Sequence, residues 1–319
     1  MAAMLIRVLT LTLLLTLVGC GDDRPERIAQ FQQLVGQRID SLSKMLDNGQ
    51  IRNATLLKQY TSILANQQTD MAPLLNELAK DATTKGPMFT SLLTRYKEAM
   101  DSKNYVDLDQ QLAEIENIYQ AADPSLYNDM LSDPLNVVAD MSKGALGRVN
   151  SISREAATLA NGAEDFGAGS QLVGNPGYGN WQTGSNGTSF WAWYGMYSMF
   201  SNVMRGPIGY DRWSSRRNYS YYNDVGRYRY TSPKQAKAQK QTYERTKKQF
   251  NSQGKKFDSP YAKSRSGSTS LSRQSSSAPK ASSTGSASKG GSKFRSNYSK
   301  SSGLRNSNSR TTRGVRRGK

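Results

Sequence analysis

Apolar residues recur every three or four positions through most of the first 160 residues, the spacing that gives a helix one buried face. The first run begins near Asp23, a possible N-cap, and stops at Asn48-Gly49. Later runs begin near residues 56, 69, 89, 108, 127, 135 and 146. Because the connections between them are short, consecutive helices should lie antiparallel. We therefore predict an all-α fold, with an antiparallel helical bundle over residues 20–160.

The helical spacing is lost after residue 160. Eight glycines lie between Asn161 and Ser189, which predicts a flexible linker over residues 161–189. An aromatic-rich segment, residues 190–230, follows the linker. We predict a short helix at its start, whose candidate membrane or partner contacts are Phe190, Trp191, Trp193, Tyr194, Tyr197 and Phe200.

Three roles are open for this aromatic helix. It can pack back on the bundle as part of the core, lie at the headgroup level of a membrane, or dock against a protein partner. Its length of about 15 residues is too short to span a bilayer, which takes about 20. The tyrosines and arginines that alternate between Tyr219 and Tyr230 also suit base stacking on single-stranded nucleic acid.

Charge divides the chain near residue 204. Residues 1–204 hold 15 Lys/Arg and 21 Asp/Glu, whereas residues 205–319 hold 28 Lys/Arg and 4 Asp/Glu. A cationic excess of this size predicts binding to anionic polymers or lipids of a cell envelope, to an acidic protein, or to nucleic acid. The candidate polyanion contacts are Arg216, Arg217, Arg227, Arg229, Lys247, Lys248, Arg316 and Arg317.

Of the 28 Lys/Arg after residue 204, 22 belong to a basic tail, residues 231–319. Ser232 and Gln235 have capping-box spacing, so a polar helix should run from Pro233 to about Phe250. From Ser259 onward, 20 of 61 residues are serine and none is acidic. Such a segment cannot bury enough apolar area to offset its chain entropy, and we predict that most of the tail is disordered.

The composition excludes most catalytic chemistry. Histidine is absent and Cys20 is the only cysteine, which removes His-based acid/base catalysis, Ser-His-Asp and Cys-His nucleophiles, and Cys/His zinc sites. Ser41 and Lys44 match an S-x-x-K string, but the S-D-N and K-T-G motifs of serine acyl-enzymes do not occur. We predict a protein that is not an enzyme and uses neither a cofactor nor a metal.

The N-terminus has the parts of a secretory signal peptide. Arg7 precedes an uninterrupted run of Val, Leu and Thr over residues 8–18, and the small residue Gly19 follows. The run has 11 residues, too few to span a bilayer. The tetrapeptide Leu17-Val18-Gly19-Cys20 resembles the lipobox of bacterial lipoproteins.

This resemblance implies that the signal peptide, residues 1–19, is removed and that Cys20 carries diacylglyceryl and acyl groups such as palmitate. Two or three acyl chains anchor a protein stably to a membrane, whereas one chain binds reversibly. In this family an Asp after the cysteine favours the inner membrane; Gly21 stands there instead, which implies the outer membrane in an organism that has one. The rest of the chain resembles uncharacterised envelope lipoproteins in composition only.

The sequence therefore predicts a non-enzymatic envelope lipoprotein that acts in binding or scaffolding. Its predicted partners are the lipid bilayer, through acylated Cys20, and anionic polymers or lipids of the envelope, through the basic tail. The acidic bundle would serve as a body for binding a protein partner. Two alternatives remain open: an accessory subunit of an envelope protein complex, and a surface lipoprotein that binds nucleic acid.

Overall fold

The computed structural model describes residues 22–149, 155, 158–159 and 162–261. In these residues the chain forms nine α-helices and one two-stranded antiparallel sheet. The helices are α1 (Arg24–Asp47), α2 (Arg52–Gln67), α3 (Ala72–Ala79), α4 (Pro87–Ala99), α5 (Leu108–Ala121), α6 (Pro124–Met130), α7 (Ser132–Met141), α8 (Tyr210–Arg216) and α9 (Pro233–Ser252). The strands are β1 (Gly179–Thr183) and β2 (Ser189–Trp193). The predicted signal peptide and Cys20 lie outside the described residues.

The first helix, α1, forms as its sequence pattern predicts. Pro25 lies in the first turn, where its missing N–H is not needed. The chain leaves the helix through Gly49, whose φ of +67° favours glycine. Its apolar stripe is buried and consists of Ile28, Phe31, Val35, Ile39, Leu42 and Leu46. The helix packs along α5.

The remaining bundle helices also coincide with the predicted apolar runs. The helix α2 packs against α3 and α7, and α4 packs against α5. The prediction of a mostly helical chain is therefore confirmed, with the small sheet as an addition. In the last predicted run, residues 146–159, residues 146–149 are not helical and residues 155, 158 and 159 are helical. The other residues of this run lie outside the described part of the chain.

Residues 190–200 do not form the predicted helix. The strand β2 pairs antiparallel with β1, with Trp191 opposite Trp181, and the 3-10 helix Gly195–Asn202 follows it. At Gly179 in β1, a Cβ would lie 2.3 Å from the carbonyl O of Ala192, so only glycine lets the strands pair here. Aromatic residues suit a pleated strand as well as a helix face, and this contact with β1 favours the strand.

The glycine-rich stretch is packed in its described part and is not a free linker. Its buried side chains include Phe166, Ala168, Leu172, Val173 and Tyr178. Gly169 has φ +96° and lies so close to the Phe200 ring that a Cβ would come within 2.7 Å of it. Gly174 has φ +88° and lies against the Trp213 ring in the same way. These glycines allow rings to pack closely on the backbone.

The polar helix predicted in the basic tail forms as α9, and Ser232 and Gln235 make the predicted capping box. After α9 the chain folds back on it. Phe257 is buried there, and its ring packs against those of Tyr243 and Phe250. The packed region therefore extends to residue 261, beyond the predicted start of the serine-rich tail.

One hydrophobic core joins the bundle to the C-terminal part of the described chain. Hydrogen bonds cross the junction as well. The Nη1 of Arg95 donates to the carbonyl O of Arg229 at 2.7 Å, and the hydroxyl of Tyr230 donates to the carbonyl O of Ala121 at 3.2 Å. Among the described helices, none combines the length and the apolar character that crossing a bilayer requires.

A fragment spanning residues 24–162 should be much less stable than one spanning residues 24–261. The shorter fragment uncovers the sides of α7 and α3 that contact the 3-10 helices Ser170–Leu172 and Gly195–Asn202. Each large apolar side chain uncovered costs about 1.5–3 kcal/mol, and 1 kcal/mol lowers the thermal midpoint by about 4 °C. We expect a midpoint at least about 10 °C lower, measured by circular dichroism. Equal midpoints would show that the bundle is an independent domain.

Candidate functional site

The outward face of α9 is the candidate polyanion-binding surface. Its exposed cations, here called the lysine row, are Lys234, Lys237, Lys240, Arg245 and Lys248. At about 100° and about 1.5 Å of rise per residue, the row covers about 140° of the helix circumference and is about 21 Å long. Lys247, a predicted contact, is half-buried at the edge of the row.

The opposite face of α9 is buried and includes the polar residue Gln239. Its Nε2 donates to the carbonyl O of Gly174 at 3.2 Å and to the hydroxyl of Tyr222 at 2.9 Å. Its Oε1 accepts from Nε of Arg227 at 2.7 Å. Because both ends of the amide are bonded, Gln239 fixes the orientation of α9 without the cost of an unpaired buried group.

Two threonines complete this buried face. The hydroxyls of Thr242 and Thr246 donate to the carbonyl O atoms four residues earlier in the helix, at 3.1 Å and 3.0 Å. Their polar atoms are thereby satisfied, which leaves the methyl groups for packing. Hydropathy counts Gln and Thr as polar, so the sequence of α9 shows almost no apolar face by which the helix could dock.

The lysines of the row form no ion pair with any described residue. Glu244 is the single acidic residue of α9, and it is exposed. By contrast, the exposed Arg212 and Arg205 of the same half of the chain pair with Glu164 and Asp165. In the row, the cationic excess of the C-terminal part therefore reaches solvent without an ion-pair partner among the described residues.

Arg217 is not the surface contact that the sequence predicted. Its side chain is 1% exposed, and Nη2 and Nη1 pair with the two carboxylate oxygens of Asp224 at 2.7 Å and 2.9 Å. Nη2 also donates to the carbonyl O of Pro260 at 3.2 Å. Nη1 also donates to the carbonyl O of Asn218 at 3.3 Å, so four of the five N–H groups of this buried guanidinium are bonded and Nε alone has no partner among the described residues. Arg217 instead holds the end of the described chain in place.

Two further predicted contacts are also partly withdrawn from the surface. Arg227 is half-buried, with its guanidinium carbon 3.8 Å from the centre of the Tyr261 ring. Arg229 is half-buried as well and lies over the Tyr228 ring at 4.5 Å. Cation–π contacts of this kind keep the positive charge but fix the side chain in place.

The remaining predicted polyanion contacts are exposed or lie outside the described residues. Arg216 is exposed, but its Nη1 lies 3.8 Å from Glu164. Lys248 is exposed and unpaired within the lysine row. Arg316 and Arg317 lie outside the described residues. Of the eight predicted residues, Lys248 is thus the described one with an exposed, uncommitted charge.

The aromatic side chains predicted to contact a membrane or a partner lie mostly in the core. The buried ones are Trp191, Tyr197 and Phe200, and the half-buried ones are Phe190 and Trp193. Tyr194 alone among the six is largely exposed, at 46%. The Trp191 ring packs against Trp181 with centroids 5.1 Å apart. Of the three roles that the sequence left open, core packing is the one that the buried rings have here.

A buried carboxyl group lies where the bundle meets residues 162–230, here called the aromatic part. Asp81 is in the 3-10 turn Lys80–Ala82 after α3, and its Oδ2 accepts from the hydroxyls of Tyr178 at 3.2 Å and Tyr197 at 3.3 Å. Its Oδ1 has no partner among the described residues. Burial raises the pKa of Asp81 to about 8 although the two hydroxyl donors lower it. Asp81 is therefore mostly neutral at pH 7.

A second buried carboxyl, Asp133 of α7, is bonded differently. Its two oxygens accept from the backbone N–H groups of Tyr221 and Tyr222 at 2.7 Å and 2.9 Å. Burial raises the pKa of Asp133 to about 7, while these two N–H donors lower it. Asp133 thereby fixes the start of the π-helical turn Tyr222–Gly226 against the bundle.

A cleft of about 400 Å³ lies between α8 and the segment after α9, with Phe250 and Phe257 among its lining residues. Its cations already have partners, since Arg212 pairs with Glu164 and Lys256 lies 3.4 Å from Asp258. The lining of the cleft therefore mixes acidic and basic side chains and offers no patch of a single charge sign. Within the described residues, no group of three or more Cys, Asp or Glu side chains is placed to hold a metal ion.

No protein family, curated protein or solved structure matches the chain. The charges and contacts of its own residues are therefore the basis for the function proposed below.

Phe200→Ser should destabilise the protein, because this ring is fully buried against Gly169 and Trp193. Removing a buried Phe costs about 3–5 kcal/mol, which lowers the thermal midpoint by about 10 °C or more. The matched control is Tyr194→Ser at an exposed aromatic position, for which we expect a change within about 0.5 kcal/mol. Phe200→Ser with an unchanged midpoint but weaker membrane binding would instead favour the interface role.

Proposed function

We propose that this protein is a non-enzymatic, lipid-anchored envelope lipoprotein that binds envelope polyanions through the lysine row and the basic tail. The observation that carries the proposal is the row itself, an exposed line of cations with no described carboxylate partner. Cations displayed in this way attract phosphate and carboxylate groups and release counterions when they bind them.

The distribution of charge over the described residues supports this role. Residues 22–149 hold 13 Lys/Arg and 18 Asp/Glu, whereas residues 205–261 hold 14 Lys/Arg and 4 Asp/Glu. Residues 262–319 add 14 more cations and no acid. An anionic surface would thus attract the C-terminal part and repel the bundle, which orients the protein as it approaches.

The chemistry of the row favours contact with anionic groups over insertion or base stacking. The two aromatic residues of α9, Tyr243 and Phe250, pack against Phe257 and are only half-exposed. A helix that inserts into a membrane needs an apolar outward face, and single-stranded nucleic acid is held by aromatic rings between the cations. The outward arc of α9 offers neither, so its binding should be electrostatic.

The resemblance of Leu17-Val18-Gly19-Cys20 to a lipobox supports the location. A protein anchored in the envelope meets lipid phosphates, anionic headgroups and the acidic polymers of the cell wall before it meets nucleic acid. Cys20 precedes the start of α1 at Arg24 by four residues, which span about 14 Å at most when extended. The lipid would therefore hold the bundle close to its membrane.

Cys20→Ser should abolish acylation and leave the unprocessed precursor, because the thioether requires the thiol and the lipoprotein peptidase acts on the lipidated form. The measurement is metabolic labelling with a palmitate analogue, together with the mass of the membrane-bound product. Cys20→Ala serves as a second variant. Mature-length, membrane-bound protein from either variant would contradict the proposed anchor.

Reversing the charge of the lysine row should weaken polyanion binding more than an equal change of net charge elsewhere in the protein. The test variant replaces Lys234, Lys237, Lys240 and Lys248 by Glu. The matched control replaces Lys44, Lys58, Lys97 and Lys103, four exposed bundle lysines, and changes the net charge by the same amount. Each cation near an anionic surface contributes about 1 kcal/mol, so we expect at least about a tenfold loss of affinity for the row variant alone.

Sedimentation of the full-length protein with lipopolysaccharide, anionic vesicles or cell-wall fragments measures this binding. The affinity should fall steeply with salt, since the screening length shrinks from about 10 Å at 0.1 M to about 3 Å at 1 M. Deletion of residues 262–319 tests the tail separately and keeps Pro260 and Tyr261, which contact Arg217 and Arg227. Equal losses from the row and control variants would overturn the role of the row.

Competition identifies the class of polyanion. Excess DNA or RNA should fail to strip the protein from envelope membranes at moderate salt if the envelope is the target. Full release by a small excess of nucleic acid, with poor competition by lipopolysaccharide and anionic lipid, would favour a surface lipoprotein that binds nucleic acid.

A further inference from the structure

Asp81 attaches both ends of the β1–β2 hairpin to the bundle. Tyr178 immediately precedes β1, and Tyr197 lies in the 3-10 helix that follows β2. Their hydroxyls donate to the same carboxylate oxygen, and their rings meet edge-on with centroids 5.1 Å apart. A change at this one carboxyl group therefore acts on both ends of the hairpin at once.

The turn that carries Asp81 is packed between the start of α4 and the aromatic part. Gly86, just before α4, lies so close to the turn that a Cβ would come within 2.5 Å of the Lys80 carbonyl O and the Asp81 Cα. The Asp81 side chain is fully buried, and its Oδ2 faces Tyr178 and Tyr197 of the aromatic part. An ionised Asp81 therefore gains water when the aromatic part moves away.

Asp81 lacks the compensation that other buried acids of the protein have. Glu114 pairs with Arg95 at 2.7 Å, and Asp224 pairs with Arg217 at 2.7 Å. The hydrogen bonds to Asp81 come from neutral hydroxyl groups, and one of its oxygens has no described partner at all. A buried carboxylate with so little support strongly disfavours the packed state.

The titratable groups that face Asp81 add no positive charge. They are Glu77 on α3, Tyr127 on α6, Tyr178 before β1 and Tyr197 after β2. The three tyrosines carry neutral hydroxyl groups, and Glu77 pairs with Lys80 of the same turn, so neither of these two charges is free. The residue before α4, Gly86, meets the turn without a side chain. The surroundings of Asp81 therefore disfavour its ionised form and accommodate its neutral form.

We propose that Asp81, Tyr178 and Tyr197 form a proton-operated latch: protonated Asp81 keeps the hairpin packed on the bundle, and ionised Asp81 releases it. Release exposes the aromatic side chains that the packed state buries, among them Trp191 and Phe200. The latch does not depend on polyanion binding by α9.

The direction of the switch follows from proton linkage. Burial raises the pKa of Asp81 to about 8, whereas an exposed Asp titrates near about 4. Between these values the packed state holds a proton that the released state does not, so the released population rises about tenfold per pH unit. Packing is strongest in acid, weakens as the pH rises towards 8, and changes no further above it.

Hydrogen exchange followed by mass spectrometry tests the latch on the full-length protein in neutral detergent between pH 5 and 9. The ratio of exchange in the wild type to exchange in Asp81→Asn at each pH cancels the intrinsic pH dependence of exchange. For peptides covering residues 178–204, the ratio should rise by about tenfold per pH unit and level off near pH 8. For peptides from α1 and α5 it should stay constant.

Two outcomes would overturn the latch. A constant ratio in residues 178–204 would show that Asp81 does not control the hairpin, and an equal rise in α1 and α5 would show that it affects only global stability. If Asp81→Asn does not fold, Tyr197→Phe replaces it, because the loss of one donor to the ionised form should move the levelling-off to higher pH. Tyr96→Phe, which removes a hydroxyl bonded to Gln32, is its control and should leave the profile unchanged.

Discussion

The bundle and the aromatic part are joined by buried polar groups, and each must find its partner inside the protein. The bundle supplies acceptors, Asp81 and Asp133, and the aromatic part supplies tyrosine hydroxyls and backbone N–H groups. Apolar contact alone does not fix the angle between two surfaces, but directional hydrogen bonds do. The position of α9 follows from this joint, because Asp133 holds the backbone of Tyr222, and the hydroxyl of Tyr222 accepts from Gln239.

The docking of α9 determines which of its cationic side chains face solvent. Gln239 attaches the helix by hydrogen bonds to Gly174, Tyr222 and Arg227, and the two threonine hydroxyls are satisfied within the helix, so no lysine is needed for an internal ion pair. Elsewhere in the same half of the chain, arginines hold the structure together, as Arg217 does with Asp224. The buried ion pairs thus use arginine, as in Arg217 with Asp224 and Arg95 with Glu114, while the lysines of the row stay in solvent. The bidentate pair of Arg217 is one that only a guanidinium makes.

The parts of this structure that the sequence predicted depend on local patterns. The face of α1 and the capping box of α9 are both encoded within a few residues. The strand β2 depends on its pairing with β1, which lies in the glycine-rich stretch whose composition is typical of a linker. The burial of Arg217 depends on Pro260, 43 residues away, and a single sequence carries no signal for such a distant contact. The lysine row was only partly predicted, because the docking of α9 through Gln239 is invisible to hydropathy.

The row and the tail supply the same charge in different geometry. The row belongs to a helix that is fixed, through Gln239 and the joint with α7, to a bundle that the proposed lipid holds close to its membrane. Its position on the bundle is therefore set by the fold. The tail, if disordered as its composition predicts, has a root-mean-square reach of about 40–45 Å for 58 residues. A tail of this reach can make first contact with a polyanion, and the fixed row can then hold it in one orientation, because only the row loses little conformational entropy on binding.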